Sequence, residues 1–312
     1  MIYLDSGATT LEKPPAVARA MAQAVGEMSS PGRGNYPASQ KAARTAYDCR
    51  EAAAELFHVP APEQVIFTCN ATHGLNIAIR TLVRPGCRVA VSGYEHNAVT
   101  RVLHSIPGVE IMVADAPLFR PEQTLEGFCT ALRRGVDAVI CNHVSNVFGC
   151  VQPVEELAGL CRRTHTPLIV DASQSAGILP VLLADWGAAF VAMPGHKGLY
   201  GPQGTGLLLC GAEAGPLLYG GTGSASRRQT MPIDLPDRLE AGTHNMPGIA
   251  GLLEGLRFVS HAGVERIAQW ERRLTRRAEE GLARLPGVEV FADKTGQGQT
   301  GVLSFCCLLY KS

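Results

Sequence analysis

Seven short apolar runs, each closed by polar residues and most of them separated by stretches of helical period, constrain this 312-residue chain more than any other feature. They read VIFT, RVAVS, EIMV, DAVICN, LIVD, AAFVAM and TGLLLC, at 65–68, 88–92, 110–113, 137–142, 168–171, 188–193 and 205–210. Runs this short are strands, and their alternation with helices predicts an α/β fold. Its sheet is mostly parallel and seven-stranded, with helices on both faces and a ligand crevice at the strands' carboxyl ends. Helices are expected within 11–28, at 39–56, at 154–164, and over 267–285, where Ile267, Trp270, Leu274, Ala278, Leu282 and Leu285 recur at helical spacing. Trp270 is assigned to the core rather than to a site. The stretch 220–248 shows no sustained period and is expected to be mostly loop. A dinucleotide fold is disfavoured, because no GxGxxG opens a helix after the first strand.

The sixth and seventh runs enclose PGHKGLYGPQG, a loop with Lys197 among Gly195, Gly198, Gly201 and Gly204. Those glycines let backbone approach a ligand closely. A lysine desolvated there has a lowered pKa and a free amine that attacks carbonyls. The competing reading is a solvated lysine on a surface turn. Upstream, LIVD ends in Asp171 with Gln174 three positions on, so a carboxylate faces the same crevice. Pyridoxal phosphate needs those two groups, an aspartate for its pyridinium nitrogen and a lysine for its aldehyde carbon.

Together, VDASQ and PGHKGLYGPQGTG resemble the class V aminotransferase family, and within it the cysteine desulfurase and selenocysteine lyase-like branch. That resemblance implies the type I fold of pyridoxal-phosphate-dependent transferases. It extends along residues 2–305. The opening IYLDSGATT is similar to a family segment near the active-site mouth. Asn70, Ala71 and Thr72 precede a helical run, giving either a plain helix cap or an anion site; the resemblance assigns Ala71 and Thr72 to the cofactor phosphate. YEHNAV is similar to a family motif whose histidine stacks on the pyridine ring and moves protons, here His96. HVSNVFG resembles a segment whose asparagine lies against the phenolate side of the cofactor, here Asn146, although Ser145 and Asn146 are equally suited to cap the helix at 154–164. RLEAGTHN resembles a segment whose threonine reaches the phosphate held by the neighbouring subunit, here Thr243. The implied set is Lys197 and His96 for catalysis, with Ala71, Thr72, Asn146, Asp171, Gln174, His196 and Thr243 holding pyridoxal 5'-phosphate. Arg33 faces either solvent, substrate or a partner subunit and is left out of that set. No metal is expected.

Lys+Arg and Asp+Glu both number 28, so no net charge invites nucleic acid or an anionic membrane. No apolar run reaches the roughly 20 residues of a membrane span, and the first residues lack a basic-then-apolar leader. A cytoplasmic protein is expected. The ten cysteines, among them Cys69, Cys141 and Cys210, are read as reduced, buried small hydrophobes.

Two departures from the family stand out. Pro194 occupies the position where the family carries a phosphate-binding hydroxyl, which shifts that task to His196, Thr72, backbone amides and Thr243. After Phe305 only CCLLYKS follows, without the family's persulfide-forming cysteine or its carboxylate-binding arginine. Residues 1–250 are expected to form a large cofactor domain, and 251–312 a linking helix with an incomplete small domain. The implied activity is that of a cysteine desulfurase: a homodimer taking cysteine to alanine and passing sulfur to an acceptor protein. The alternatives are another class V enzyme, whether aminotransferase, epimerase or C–S lyase, or a truncated chain that binds the cofactor without turnover. Little desulfurase turnover is expected of these 312 residues, and Cys306 and Cys307 are expected to be buried rather than reactive.

Overall fold

The computed structural model describes residues 2–307 except 33, 225, 226 and 297, so Arg33 and the tail from 308 lie outside the described residues. Among the described residues, all seven apolar runs become strands of one sheet. They are β1 Val65–Thr68, β2 Arg88–Ser92, β3 Glu110–Ala114, β4 Ala138–Asn142, β5 Leu168–Asp171, β6 Phe190–Pro194 and β7 Gly206–Cys210. Their order across the sheet is β1-β7-β6-β5-β4-β2-β3. The strands from β3 to β6 pair in parallel, while β7 runs antiparallel to both β6 and β1. Parallel neighbours need long crossovers, whereas an antiparallel pair can be joined by a tight loop. The loop between β6 and β7 joins such an antiparallel pair at the crevice and carries Lys197 close to the end of β5.

The helices are α1 Pro15–Glu27, α2 Pro37–Leu56, α3 Ala71–Leu82, α4 Asn97–His104, α5 Pro121–Arg133, α6 Val154–Thr164, α7 Leu183–Trp186, α8 Met246–Ala262 and α9 Val264–Leu282. Side chains alternate along each central strand, so Val191 and Met193 of β6 face one core while Phe190 and Ala192 face the other. The first core is closed by α2, α5, α6, α7 and α8, and the second by α3 and α4. Central strands buried on both faces read as unbroken apolar runs, which is why they were legible.

The loop expected up to 248 gives way to α8 at Met246. This helix is apolar nearly all round, with ten buried residues among its seventeen, so no amphipathic period announced it. It packs on α1 and α2 and crosses the expected boundary at 250/251. On α9 only Ala268 is buried. Trp270 is 56% exposed, not core, and carries Arg273 over its ring at 4.8 Å. Beyond it, β8 Val288–Phe291 and β9 Ser304–Cys307 form a separate antiparallel pair. Cys306 in β9 is exposed and Cys307 half-buried, contrary to expectation, because they lie in this two-stranded pair and not in a central strand of the main sheet. Cys69 is also exposed: it follows β1 in the turn before α3 and so escapes the buried run.

Candidate active site

The turn after β5 and the lysine loop after β6 are locked together by two glycines. Gly177 has φ +85°, and a Cβ on it would stand 2.2 Å from the Gly198 carbonyl oxygen; a Cβ on Gly198 would stand 2.4 Å from the carbonyl oxygen of Ala176. Side chains cannot be accommodated at such distances. Gly198, expected to admit a ligand, serves instead with Gly177 to bring backbone against backbone. Gly195 and Gly201 likewise face protein, Thr205 and Leu252 respectively.

The first residues of the chain hold the same loop from outside. Thr10 N–H donates to the His196 carbonyl at 3.1 Å, and Thr10 Oγ1 to the Lys197 carbonyl at 2.8 Å. Thr9 Oγ1 lies 3.0 Å from His196 Nδ1. Gln174 Nε2 donates to the Gly7 carbonyl at 3.0 Å, so the amide assigned to the cofactor also ties the Asp171 turn to this strap. The position of IYLDSGATT at the mouth follows from these bonds.

A cavity of about 260 Å³ opens between these elements at the carboxyl ends of the strands. Lys197, His196, Asp171 and Gln174 line it together with Ala71, Thr72, His96 and Asn146. Eight of the nine expected residues therefore meet in one place. Thr243 does not: it is exposed and lines no part of this cavity. Ala8, Asn70, Ala98, Asn142, Val144, Ser173 and Pro194 complete the wall without having been assigned as ligands. Asn142 and Ser173 adjoin expected residues in sequence, and that adjacency was the available signal.

Asp171 is buried, and its Oδ1 accepts from Ser173 N–H at 2.9 Å and from Ser173 Oγ. Among the described residues, no donor from the chain reaches Oδ2, which leaves that oxygen for a ligand. Burial lowers the Lys197 pKa, against an opposing pull from the Asp171 charge. Burial also lowers that of His196, helped by the Lys197 and Lys13 charges. Asn70 caps α3, its Oδ1 accepting from His73 N–H at 2.9 Å. The amides of Ala71 and Thr72, in the first turn of α3, have no helical partner, and both residues line the cavity. Capping and anion binding are thus compatible at this turn. His96 caps α4 through Nδ1, which accepts from Ala98 N–H at 3.0 Å. A neutral ring in that role carries its proton on Nε2.

Ser145 and Asn146 do not cap α6, whose N-cap is Pro153 without a side-chain bond. Ser145 Oγ instead accepts from the Val147 and Phe148 amides, at 3.3 Å each, and this local turn presents Asn146 to the cavity. His143 is sealed beneath, edge-on to Trp186, with burial pushing its pKa down to about 4.

Thr243 owes its position to a second buried cluster. Glu240 accepts from both Arg50 nitrogens, at 2.8 and 2.6 Å, from Phe67 N–H at 2.6 Å, and meets His244 Nε2 at 2.6 Å. Burial pushes the Glu240 carboxyl up, but Arg50 and His244 outweigh it and leave the pKa below the usual range. His244, which stands where the family has proline, is the last of these contacts, so Thr243 is presented outward from a fixed base.

The family model for the class V aminotransferases matches residues 2–311. A probable cysteine desulfurase of Methanothermobacter thermautotrophicus is 32% identical over 97% of this chain and 77% of its own length. A probable cysteine desulfurase of Mycolicibacterium paratuberculosis is 30% identical over 98% of this chain, which spans 46% of that relative. Among solved structures, the apo cysteine desulfurase of Thermococcus onnurineus superposes with a TM-score of 0.88 at 29% identity, covering 98% of this chain and 78% of that one. The protein described here, with its lysine loop packed on the aspartate turn of a seven-stranded sheet, belongs to the class V aminotransferase family.

Proposed function

We propose that this chain is a pyridoxal-phosphate-dependent protein that acts on an amino acid, with cysteine desulfurization as its reaction. The observation that carries this reading is the convergence of Lys197, with its lowered pKa, and Asp171, with Oδ2 free of chain donors, on one cavity. The donor set fits the cofactor: a carboxylate for the ring nitrogen, an amine for the aldehyde, and free amides with the Thr72 hydroxyl at a helix start for the phosphate. The relatives named above are described as probable cysteine desulfurases and the superposed structure as a cysteine desulfurase, which favours cysteine as substrate over other amino acids.

When bound, the cofactor supplies an electron sink that weakens the bonds to the substrate α-carbon. The chain does the rest. The Asp171 carboxyl group would face the ring nitrogen with Oδ2, the oxygen that no chain donor reaches among the described residues. Lys197 Nζ, its pKa lowered by burial, would hold the cofactor at its aldehyde carbon and could accept and return protons. His96, on the cavity wall, would move a proton at Nε2, the nitrogen left over from its capping bond. Pro194 offers neither hydroxyl nor N–H, so phosphate binding falls to His196, Thr72 and the α3 amides.

The same reading places the protein in the cytoplasm as a homodimer, with Thr243 completing the partner's phosphate site and a separate protein accepting the sulfur. It divides the chain into a large cofactor domain and a smaller carboxyl-terminal one. Among the described residues, no helix is long and apolar enough to cross a membrane. The test is spectroscopic. Purified protein given pyridoxal phosphate should develop a visible absorption band, and borohydride should fix the cofactor to Lys197 in peptide maps. An unchanged band in Lys197→Ala would defeat the assignment. Light scattering that finds a fully cofactor-loaded monomer would remove the role of Thr243.

A further inference from the structure

Behind the cavity wall, Glu95 sits beside His96 with its Oε2 buried and, among the described residues, without any hydrogen-bond partner. Its Oε1 accepts from Asn142 N–H at 2.8 Å. Ser92 Oγ lies 2.6 Å from that same Oε1 and 2.8 Å from Asn142 Oδ1. The orientation of the Asn142 amide is fixed, because Nδ2 donates to the Tyr94 carbonyl at 2.7 Å; turning it over would set oxygen against oxygen. Three oxygens therefore stand in a row: Glu95 Oε1, Ser92 Oγ and Asn142 Oδ1. If Glu95 were ionised, the row would hold a single hydrogen, that of the Ser92 hydroxyl, and one of its two short contacts would join bare acceptors. A proton on Oε1 removes the conflict. Oε1–H then donates to Ser92 Oγ, Ser92 Oγ–H donates to Asn142 Oδ1, and Tyr94 N–H fills the remaining lone pair of Ser92 at 3.2 Å.

We propose that Glu95 is kept as a neutral carboxylic acid, and that its proton holds the corner between Ser92 and His96 against Asn142, making Glu95 a positioning residue for two groups of the cavity wall. That this wall serves pyridoxal phosphate rests on the function proposed above; the protonation of Glu95 does not. Burial supports the assignment, pushing the carboxyl up to about 8 against the counter-pull of its bonds to Ser92 and Asn142, and the Asp171 charge pushes the same way. The titratable groups facing Glu95 are Asp171 from β5 and Cys141 from β4, with Tyr94 and His96 on its own segment. None is a cation that would draw the proton off, and among the described residues Glu95 makes no ion pair.

The experiment is a carbon-13 titration of the full chain labelled at the glutamate carboxyl carbons, recorded with and without pyridoxal phosphate. One resonance should titrate with a midpoint near 8 rather than at the ordinary 4.5, and it should vanish in Glu95→Gln. Glu271, the other carboxyl that burial raises, is identified by Glu271→Gln. The His96 ring signals, assigned by their loss in His96→Gln, should shift with the Glu95 midpoint and be flat there in Glu95→Gln. A Glu95 signal that titrates in the ordinary carboxylate range overturns the neutral acid. A His96 ring indifferent to that titration overturns the positioning role. If Glu95→Gln does not fold, the wild-type midpoint with Glu271 assigned still decides the first point, and the His96 shift the second. A chain that binds no pyridoxal phosphate but shows the raised midpoint would refute the proposed function and leave this inference standing.

Discussion

Gly177 and Gly198 meet backbone to backbone, 2.2 Å being all that would separate a Cβ on the first from the carbonyl oxygen of the second. The contact ties the Asp171 turn to the lysine loop, and it also demands a positive φ at Gly177. Gly177→Ala should therefore cost about 2–4 kcal/mol of stability, from backbone strain and the forced separation of the two loops. Pyridoxal phosphate affinity should fall with it. Gly26→Ala is the control: it lies within α1 with nothing inside 4 Å of the new methyl, and should stabilise by about 0.5 kcal/mol. Chemical denaturation and a cofactor titration of both variants check this. Equal losses in the two would refute the locking role of Gly177.

Arg50 and Glu240 form a buried pair, with side chains 9% and 4% exposed. Removing one partner leaves the other charge uncompensated, so Arg50→Met should destabilise by about 3–5 kcal/mol. Glu240→Gln keeps the Arg50 and Phe67 acceptor and should cost less. The depressed Glu240 pKa sets the sign of the acid response. A carboxyl whose folded pKa is below its unfolded value adds stability above the unfolded value, and that stability is lost as pH falls through the folded one. Wild-type protein should lose this increment on acidification, and Glu240→Gln should lose less.

Much of this was legible in the sequence, for physical reasons that also explain what was not. Strands buried on both faces must be apolar throughout, so β4 and β6 declared themselves. Groups that close such strands must gather at one edge, so Asp171, Asn146 and Lys197 could be placed in one crevice before any coordinates. The α8 helix was hidden because complete burial erases the periodicity that betrays a helix. Glu95 was hidden because its enclosure comes from a hydroxyl and an amide on two different strands, Ser92 and Asn142, which no local pattern brings together. Thr243 remained apart from the cavity because Glu240 and Arg50 fix its segment on another side of the fold.

Asn70 performs two tasks at the start of α3, capping it through His73 N–H and lining the cavity. Asn70→Ala should lower stability by about 1 kcal/mol, a usual cost for losing such a cap. Thr72→Ala removes no cap and should leave stability nearly unchanged while weakening pyridoxal phosphate binding. Thermal melts beside cofactor titrations separate the two effects. If Thr72→Ala binds the cofactor as tightly as wild type, the helix start is a cap and not a phosphate site.

Lys197 gives the clearest pH signature. Its pKa is lowered in the fold, chiefly by burial, so between the folded value and the unfolded value near 10.5 the unfolded chain binds more protons than the native one. Stability therefore rises with pH across that window, by up to about tenfold in the folding equilibrium per pH unit for one proton. Below the window, folding must carry a desolvated ammonium. Lys197→Met, which fills similar space without the charge, should consequently be more stable than wild type at neutral pH, and its stability should lack this rise. The same cause makes Lys197 the preferred amine for aldehydes: at neutral pH, pyridoxal phosphate with borohydride should label Lys197 before exposed Lys41 or Lys294. Lys13 is the informative competitor, because burial lowers its pKa too but its ammonium already donates to the Thr10 carbonyl at 2.9 Å. Equal labelling of Lys13 and Lys197 across the pH range would mean that exposure, and not the cavity, selects the reactive lysine.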